Sequence, residues 1–408
     1  MEQIEGLIVL KPLSWLDQSC RSIVHSVFAK LTYGQLEVVE GQKHLLFPQS
    51  ASEASIKGKI HIHNISVYQD FVKGGSIGVA EAFIDGKWSS PDLTSVIRIF
   101  AKAQQQTDEL DKNKSWFNKI KNSIFHWKNR NNQSGSKRNI LAHYDLGNEL
   151  YTRFLDPEMM YSSAIYPTQD ATLAEAQLHK LDTICQKLEL TCEDHLLEIG
   201  TGWGGLAIYA AQNYGCKVTT TTISDAQFDY ANDRVNQLGL ADKITLLKKD
   251  YRELTGTFDK VVSVEMIEAV GFEFLPSFFQ QCNNRLKTGG KLLIQSITIA
   301  DQRFDSYKNN VDFIQRYIFP GGFLPSITVL SQHVTEHSSM TIESLNDIGL
   351  DYAKTLADWR TGFLNTWTEL TKLGYDEEFK RLWLYYFAYC EGAFLERATS
   401  TVHLVARK

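Results

Sequence analysis

"LLEIGTGWGGLAIYAA", residues 196–211, is the stretch from which the fold of this chain is read. A short apolar run ends at Gly200, and an apolar, alanine-bearing run begins near Gly204. A buried strand, a tight turn and a helix fit that order. Such a turn lets backbone come close to a ligand, and the helix start offers N–H groups that lack intrahelical partners. The spacing Glu198-x-Gly200-x-Gly202-x-Gly204 is not the G-x-G-x-x-G/A of dinucleotide sites, and an acid stands before the first glycine. By itself the turn leaves a dinucleotide, S-adenosylmethionine or no ligand at all open.

Working outward, "HLLEIG" (195–200), "KVTTTTIS" (217–224), "KITLLKKD" (243–250), "DKVVSVEMI" (259–267) and "GKLLIQSITIA" (290–300) read as strands. "GGLAIYAAQNY" and "DAQFDYANDRVNQLG" between them read as helices, and "STVHLVARK" as a last strand. Strands spaced by helices imply crossover units and an α/β, doubly wound, mostly parallel sheet. The third strand ends in Asp250, a suitable acceptor for an adenine amine. Residues 1–110 read as a smaller α+β domain associated with lipid. In it, "IKGKIHIHNISVYQDFVKGG" alternates like strands, while "SIGVAEAFIDGKW" and "SSPDLTSVIRIFAKAQQQ" look helical. A basic aromatic segment and linker, 111–138, separates it from a domain spanning 139–408.

At 408 residues and 43% hydrophobic content, two or three domains with proper cores are expected. The six cysteines are scattered, without a C-x-x-C pair or a Cys/His cluster. That argues against a metal site or a disulfide framework and suits a reducing cytoplasm. No secretory leader is expected, and no run is long enough to span a bilayer.

The chain carries 42 basic and 48 acidic residues, yet "KNKSWFNKIKNSIFHWKNRNNQSGSKR" (112–138) holds eight Lys or Arg and no acid. Trp116, Ile120, Ile124 and Trp127 would form one stripe of a helix, flanked or opposed by Lys112, Lys119, Lys121 and Lys128. An amphipathic helix lying on an anionic membrane surface has that pattern. A helix packed on a neighbouring domain with a solvated charged face is the plainer alternative. Nucleic-acid binding is disfavoured, because no recognition module is visible and the rest of the chain is acidic.

"HYDLGNELYTRFLDPEMMYSSAIYP" (143–167) is more specific. With "GTGWGGLA", "TISDAQ" (222–227), "RYIFPGGFLPS" (316–326) and "YYFAYCEGAFLERA" (385–398), it resembles the cyclopropane-fatty-acyl-phospholipid synthases and their mycolic-acid cyclopropane synthase relatives. The resemblance runs through 139–408 and, more loosely, 60–105. It implies a class I methyltransferase fold, S-adenosylmethionine as cofactor, and action on cis double bonds of acyl chains in membrane phospholipids. It places Tyr161 and Ser162 against the cofactor and Gly200 and Gly202 beside its methionine part. Thr222, Ile223 and Gln227 would line the ribose and adenine, and Tyr251 would join Asp250 at the adenine.

The expected catalytic centre departs from that family. Tyr-Ser-Cys-Ala is replaced by Tyr161-Ser162-Ser163-Ala164, Glu-His-Val-Gly by Glu268-Ala269-Val270-Gly271, and Leu-His-Thr-Ile by Ile294-Gln295-Ser296-Ile297. Glu268, Tyr352 and Cys390 are kept, while Glu265 stands where the lipid enzymes often have Gly. In the family, Cys, Glu, His and Tyr positions hold a bicarbonate ion as base; two of those four side chains are changed here. Ser163 and Gln295 can still donate to an anion, or Glu268 or Glu265 can itself take the proton.

Methyl transfer to an alkene leaves a carbocation, which aromatic faces and desolvated carboxylates stabilise. Phe304, Tyr307, Phe313, Tyr317, Phe319 and Phe323 would line an acyl-chain channel or pack a core. The product would be a cyclopropane or a methyl-branched unsaturated chain, depending on which proton leaves.

Two alternatives stand beside the lipid C-methyltransferase. Coclaurine-type N-methyltransferases have a similar Glu-x-x-Glu, here Glu265 to Glu268, and an inactive lipid-binding relative would fit the lost side chains. The expected partner is an anionic phospholipid surface and not nucleic acid; a homodimer is a possible assembly. The expected location is cytoplasmic, at the inner face of the cell membrane.

Overall fold

The computed structural model describes residues 14–49, 56–107 and 147–408. The basic segment 112–138 lies outside them. The chain divides into two compact units.

The first unit is an α+β assembly. Its sheet runs in the order β2 (Lys43–Phe47), β1 (Gln35–Glu40), β3 (Lys57–Ile62), β4 (Trp88–Ser89), with β1 and β3 parallel. The alternating pattern expected over 56–75 holds only to Ile62; Val67–Ile84 is helical. This unit also takes Thr371–Glu396, which the sequence boundaries had placed in the second domain. The reason is side-chain pairing. The helix Glu377–Leu395 lies on the helix Leu93–Thr107, where Gly392 lets Ile97 come close and Glu391 accepts a 2.9 Å hydrogen bond from Thr94. Glu396 accepts from Arg98 at 2.6 Å.

The second unit holds a seven-stranded sheet. Its order is β10 (Thr341–Asp347), β11 (Thr399–Arg407), β9 (Leu286–Ile299), β8 (Phe258–Val264), β5 (His195–Ile199), β6 (Lys217–Thr221), β7 (Ile244–Leu247). β7, β6, β5, β8 and β9 are mutually parallel, while β11 runs antiparallel between β9 and β10. Adjacent residues on these strands serve opposite faces. Leu197, Val261, Leu292 and Leu404 join one core with Phe278 and Phe279. Leu196, Val262, Leu293 and Val405 join another with Ile184 and Leu206. A sheet buried on both sides therefore reads as continuous apolar runs, as "HLLEI" does. The strands expected from 195 to 300 and at the C-terminus are all present; β10 was not anticipated, since "TIESLND" is half exposed and weakly patterned.

Candidate active site

The glycine turn sits at the carboxyl end of β5. Gly200, Gly202 and Gly204 have φ of 104°, 53° and 90°, values that side chains disfavour. Backbone N–H groups of Gly200 and Thr201 donate to Thr221 O at 3.1 and 3.0 Å, fixing the turn to β6. A Cβ at Gly205 would come within 2.6 Å of Met160 Sδ, whereas one at Gly202 would meet nothing within 4 Å. The helix Gly205–Asn213 is thus backed against residues 158–160, and the turn opens on the side of Gly202.

Around that opening stand aromatic rings. Tyr161 lies 5.2 Å from Tyr151 and 5.1 Å from Trp359 between ring centroids. Phe154 and Phe319 stand farther off, at 6.2 and 6.3 Å. Tyr151 also packs on Trp203, whose Nε1 donates to Asn148 Oδ1 at 2.9 Å. These faces suit a sulfonium cation. Just past β6, Thr222 Oγ1 donates to Gln227 Oε1 at 3.0 Å, and Ile223 is half-buried. Asp250 is less free than expected: it accepts from Arg252 Nε at 2.8 Å and from the second guanidinium nitrogen at 2.6 Å. Tyr251 packs edge-on against Phe278, with its buried hydroxyl lacking a partner.

Three of the expected catalytic residues, Ser163, Gln295 and Tyr352, converge on a fourth, the Glu265 carboxylate. Glu265, at the end of β8 with φ of 47°, accepts from Ser163 N at 2.9 Å and from Gln295 Nε2 at 2.7 Å on Oε1. Its Oε2 accepts from the Tyr352 hydroxyl at 2.8 Å. Ser163 therefore contributes its backbone N–H. Its hydroxyl, expected to serve an anion, instead donates to Ala164 O at 3.0 Å, because the side chain is sealed inside. Glu268 is held separately: Ile297 N and Ser296 Oγ donate to Oε1 at 2.6 and 3.2 Å, and Oε2 is a buried oxygen without a partner.

Both glutamates keep a little surface yet lie deep among protein atoms. Burial pushes the Glu268 carboxyl up to about 8, helped by the neighbouring Glu265. Burial also raises Glu265, against the pull of Ser163 N–H, Gln295, Tyr352 and Lys180. Glu198 is raised to about 8 by burial, although Thr220 donates to it at 2.6 Å.

Two side chains here were not expected. Lys180, fully buried, donates to Ser162 Oγ at 2.8 Å, and burial pushes its ammonium down to about 8. Its helix, Leu173–Lys187, buries Ala176, Gln177, Leu181 and Ile184 on the same face, and a lysine at that phase is the signal in the sequence. His403 lies between Val402 and Leu404 in β11, buried on both sides, and bonds Gln295. The aromatic run divides. Phe304, Tyr307 and Phe323 pack with Phe272 on the core, and Phe319 turns to Tyr161. Phe313 and Tyr317 lie 5.6 Å apart between ring centroids. Phe323 N donates to Glu268 O at 2.9 Å, tying the run to the second carboxylate. Cys390 lies on the Glu377–Leu395 helix of the first unit. Among the described residues no group of three or more His, Cys, Asp or Glu could hold a metal ion.

A glycine turn after the first strand of a seven-stranded sheet with an antiparallel last strand, opening on an aromatic wall, defines a class I S-adenosylmethionine-dependent methyltransferase. The profile of the family described as mycolic acid cyclopropane synthetase matches residues 131–404, and this chain belongs to that family. It is 37% identical over 328 residues to tuberculostearic acid methyltransferase of Mycobacterium tuberculosis, covering 78% of this chain and 76% of that one. It is 36% identical over 350 residues to the cyclopropane-fatty-acyl-phospholipid synthase of Escherichia coli, covering 85% and 87%. A solved mycolic acid cyclopropane synthase complexed with SAH and CTAB superimposes with a TM-score of 0.62 at 27% identity, over 67% of this chain and 98% of that one. The cofactor of this enzyme is S-adenosylmethionine. The open turn at Gly202, the rings around Tyr161 and the unpartnered Tyr251 hydroxyl fit it.

Proposed function

We propose that this enzyme methylates a cis double bond in an unsaturated acyl chain of a membrane phospholipid, with Glu265 as the base. The observation that carries this reading is the trio of donors on the Glu265 carboxylate: Ser163 N–H, Gln295 Nε2 and Tyr352 OH. Ser163, Gln295 and Tyr352 occupy three of the positions that hold bicarbonate in the family resembled. Here the chain supplies a carboxylate of its own to those donors.

S-adenosylmethionine supplies an electrophilic methyl group on sulfur. Transfer of that methyl group to an alkene carbon, with the S–CH3 bond electrons kept by sulfur, would leave a carbocation on the acyl chain. Tyr161, Trp359 and Phe319 offer ring faces to positive charge. Glu268, whose carboxyl burial pushes up to about 8, adds a full negative charge only once its proton has left. Glu265 then takes a proton. If it comes from the new methyl group, its C–H electrons close a cyclopropane; if from a neighbouring carbon, they form a new double bond. A base covalently fixed at the end of β8 has one position, so one outcome should dominate.

Incubation with unsaturated phospholipid vesicles and S-adenosylmethionine, followed by mass spectrometry of the acyl chains, tests the reading. One added CH2 is expected, and double-bond-specific derivatisation assigns ring or branch. Unmodified lipid at saturating cofactor overturns it. The sequence pattern of the basic segment 112–138 supports a role for it in access to the bilayer, at the inner face of the cell membrane. Replacing Lys119, Lys121 and Lys128 with Glu should weaken sedimentation with anionic vesicles; undiminished sedimentation removes the segment from this role.

A further inference from the structure

Glu265, the proposed base, is the end of a chain of donors that starts on the helix Leu173–Lys187. Gln295 Nε2 lies 2.7 Å from Glu265 Oε1 and 3.2 Å from Ser163 O. Both are acceptors, so the amide must present its NH2 to them. Its Oε1 then needs a donor, and His403 Nε2 is 2.9 Å away. That fixes the His403 tautomer, with the proton on Nε2 and the lone pair on Nδ1. Lys187 Nζ, which as an ammonium can only donate, lies 3.1 Å from Nδ1. Every link thus points the same way, from Lys187 through His403 and Gln295 to Glu265.

The fold sets these links by register. His403 and Gln295 are cross-strand partners of β11 and β9, and Gln295 also faces Val264, the residue before Glu265, across to β8. Lys187 closes the helix Leu173–Lys187 at their side. His403 has no exposed surface, and both of its ring nitrogens are engaged in this chain of donors, Nδ1 with Lys187 and Nε2 with Gln295.

We propose that His403 and Lys187 are positioning residues for the methyl transfer: they lock the Gln295 amide with its NH2 toward Glu265. The proposal rests on the reading of Glu265 as base. Without the lock the amide can turn over and set its oxygen against the carboxylate, removing a donor and adding a repulsion. The charged and titratable groups facing Glu265 are Tyr352 from the helix Gly349–Asn365, Lys180 from the helix Leu173–Lys187, and Glu268 from the turn that follows. None of them can substitute for the amide, since each is committed to its own geometry.

The test is a double-mutant cycle on the full-length enzyme with unsaturated vesicles. His403→Leu should lower kcat about tenfold, as loss of a hydrogen bond to a charged group does, with S-adenosylmethionine affinity unchanged. The acid limb of the kcat–pH profile should move up by about one pH unit, because a carboxylate that loses a donor holds its proton more tightly. His403→Gln, which can still donate at the Nε2 position, should restore most of kcat. In a Gln295→Leu background, His403→Leu should add nothing. Lys187→Met, at a half-buried position, should give a smaller shift of the profile in the same direction and serves if His403→Leu does not fold. Additive losses in the cycle, or an unmoved pH profile in both His403→Leu and Lys187→Met, overturn the proposal. Glu265→Gln is the separate arm: full turnover in that variant overturns the base assignment, whereas its inactivity beside normal His403 and Lys187 variants overturns this inference alone.

Discussion

The Tyr352 hydroxyl and the Glu265 carboxylate lie 2.8 Å apart, although 87 residues separate them in the chain. The helix Gly349–Asn365 that carries Tyr352 also grips the segment before the site. Thr355 Oγ1 accepts from Ala164 N at 3.1 Å, and Asp358 accepts from the Tyr166 hydroxyl at 2.8 Å. One helix therefore sets both a donor to Glu265 and the loop that supplies Ser163 N–H. Tyr352→Phe removes only the hydroxyl. We expect kcat to fall about tenfold with cofactor affinity held, the usual cost of one donor to a charged acceptor. Steady-state kinetics with vesicles and calorimetric cofactor titration check this; a drop in cofactor affinity without a drop in kcat would place Tyr352 in binding instead.

Glu265 occupies the space that three donors enclose. Glu265→Gly should empty that space while leaving Ser163 N–H, Gln295 and Tyr352 aimed at it. Turnover should be lost in bicarbonate-free buffer and partly regained as bicarbonate is added, with formate or chloride less effective because they match the donor set less well. The native enzyme should show no bicarbonate dependence. A native enzyme that needs added bicarbonate contradicts the proposal that its own carboxylate serves.

The rings packed around Tyr161 should distinguish a sulfonium from the neutral sulfide that remains after transfer. Tyr161→Leu keeps bulk against Tyr151 and Trp359 but removes a π face. S-adenosylmethionine affinity should fall about three- to tenfold, the range of a desolvated cation–π contact, while affinity for the demethylated product changes less. Equal losses for both ligands would show that the ring acts by shape alone.

How much of this was legible depends on sequence distance. The strand, glycine turn and helix of 196–211 are contiguous, so their pattern could be read directly. The candidate residues Glu265, Gln295 and Tyr352 could be nominated, but their meeting on one carboxylate is made by three separate elements. The Ser163 hydroxyl was nominated for a contact that its backbone makes, which no side-chain inventory foresees. His403 and Lys180 hid among apolar neighbours, where a polar residue is easily passed over as noise in a buried pattern. The helix Glu377–Leu395 carries its own apolar residues, and nothing local says which unit they serve.

Glu198 is 3% exposed and its carboxyl is pushed by burial from 4.5 up to about 8; Glu268 is raised to about 8 as well. Above pH 4.5 the unfolded chain has released these protons while the folded one retains them, so stability falls as pH rises toward 8. Bases that burial lowers act the other way: His63, His195, His333 and His403, and Lys180 and Lys187. Buried His403, lowered from 6.5, raises stability with pH only below that value. Lys180, lowered from 10.5 to about 8, raises it only above 8. The window from 6.5 to 8 is therefore left to the carboxyls. Without cofactor, the melting temperature should drop across it. Glu198→Gln keeps a partner for the Thr220 hydroxyl through its amide oxygen and cannot ionise. The variant should flatten the drop, by at most about 2 kcal/mol across the window, since one differential proton is worth about 1.4 kcal/mol per pH unit. For a unit of this size that is a few degrees in melts at pH 6.5, 7.2 and 8, read in cacodylate, phosphate and borate against a common salt. A variant whose melting curve tracks the parent through all three would mean that Glu198 is already ionised in the folded protein, held by Lys180 as a buried ion pair.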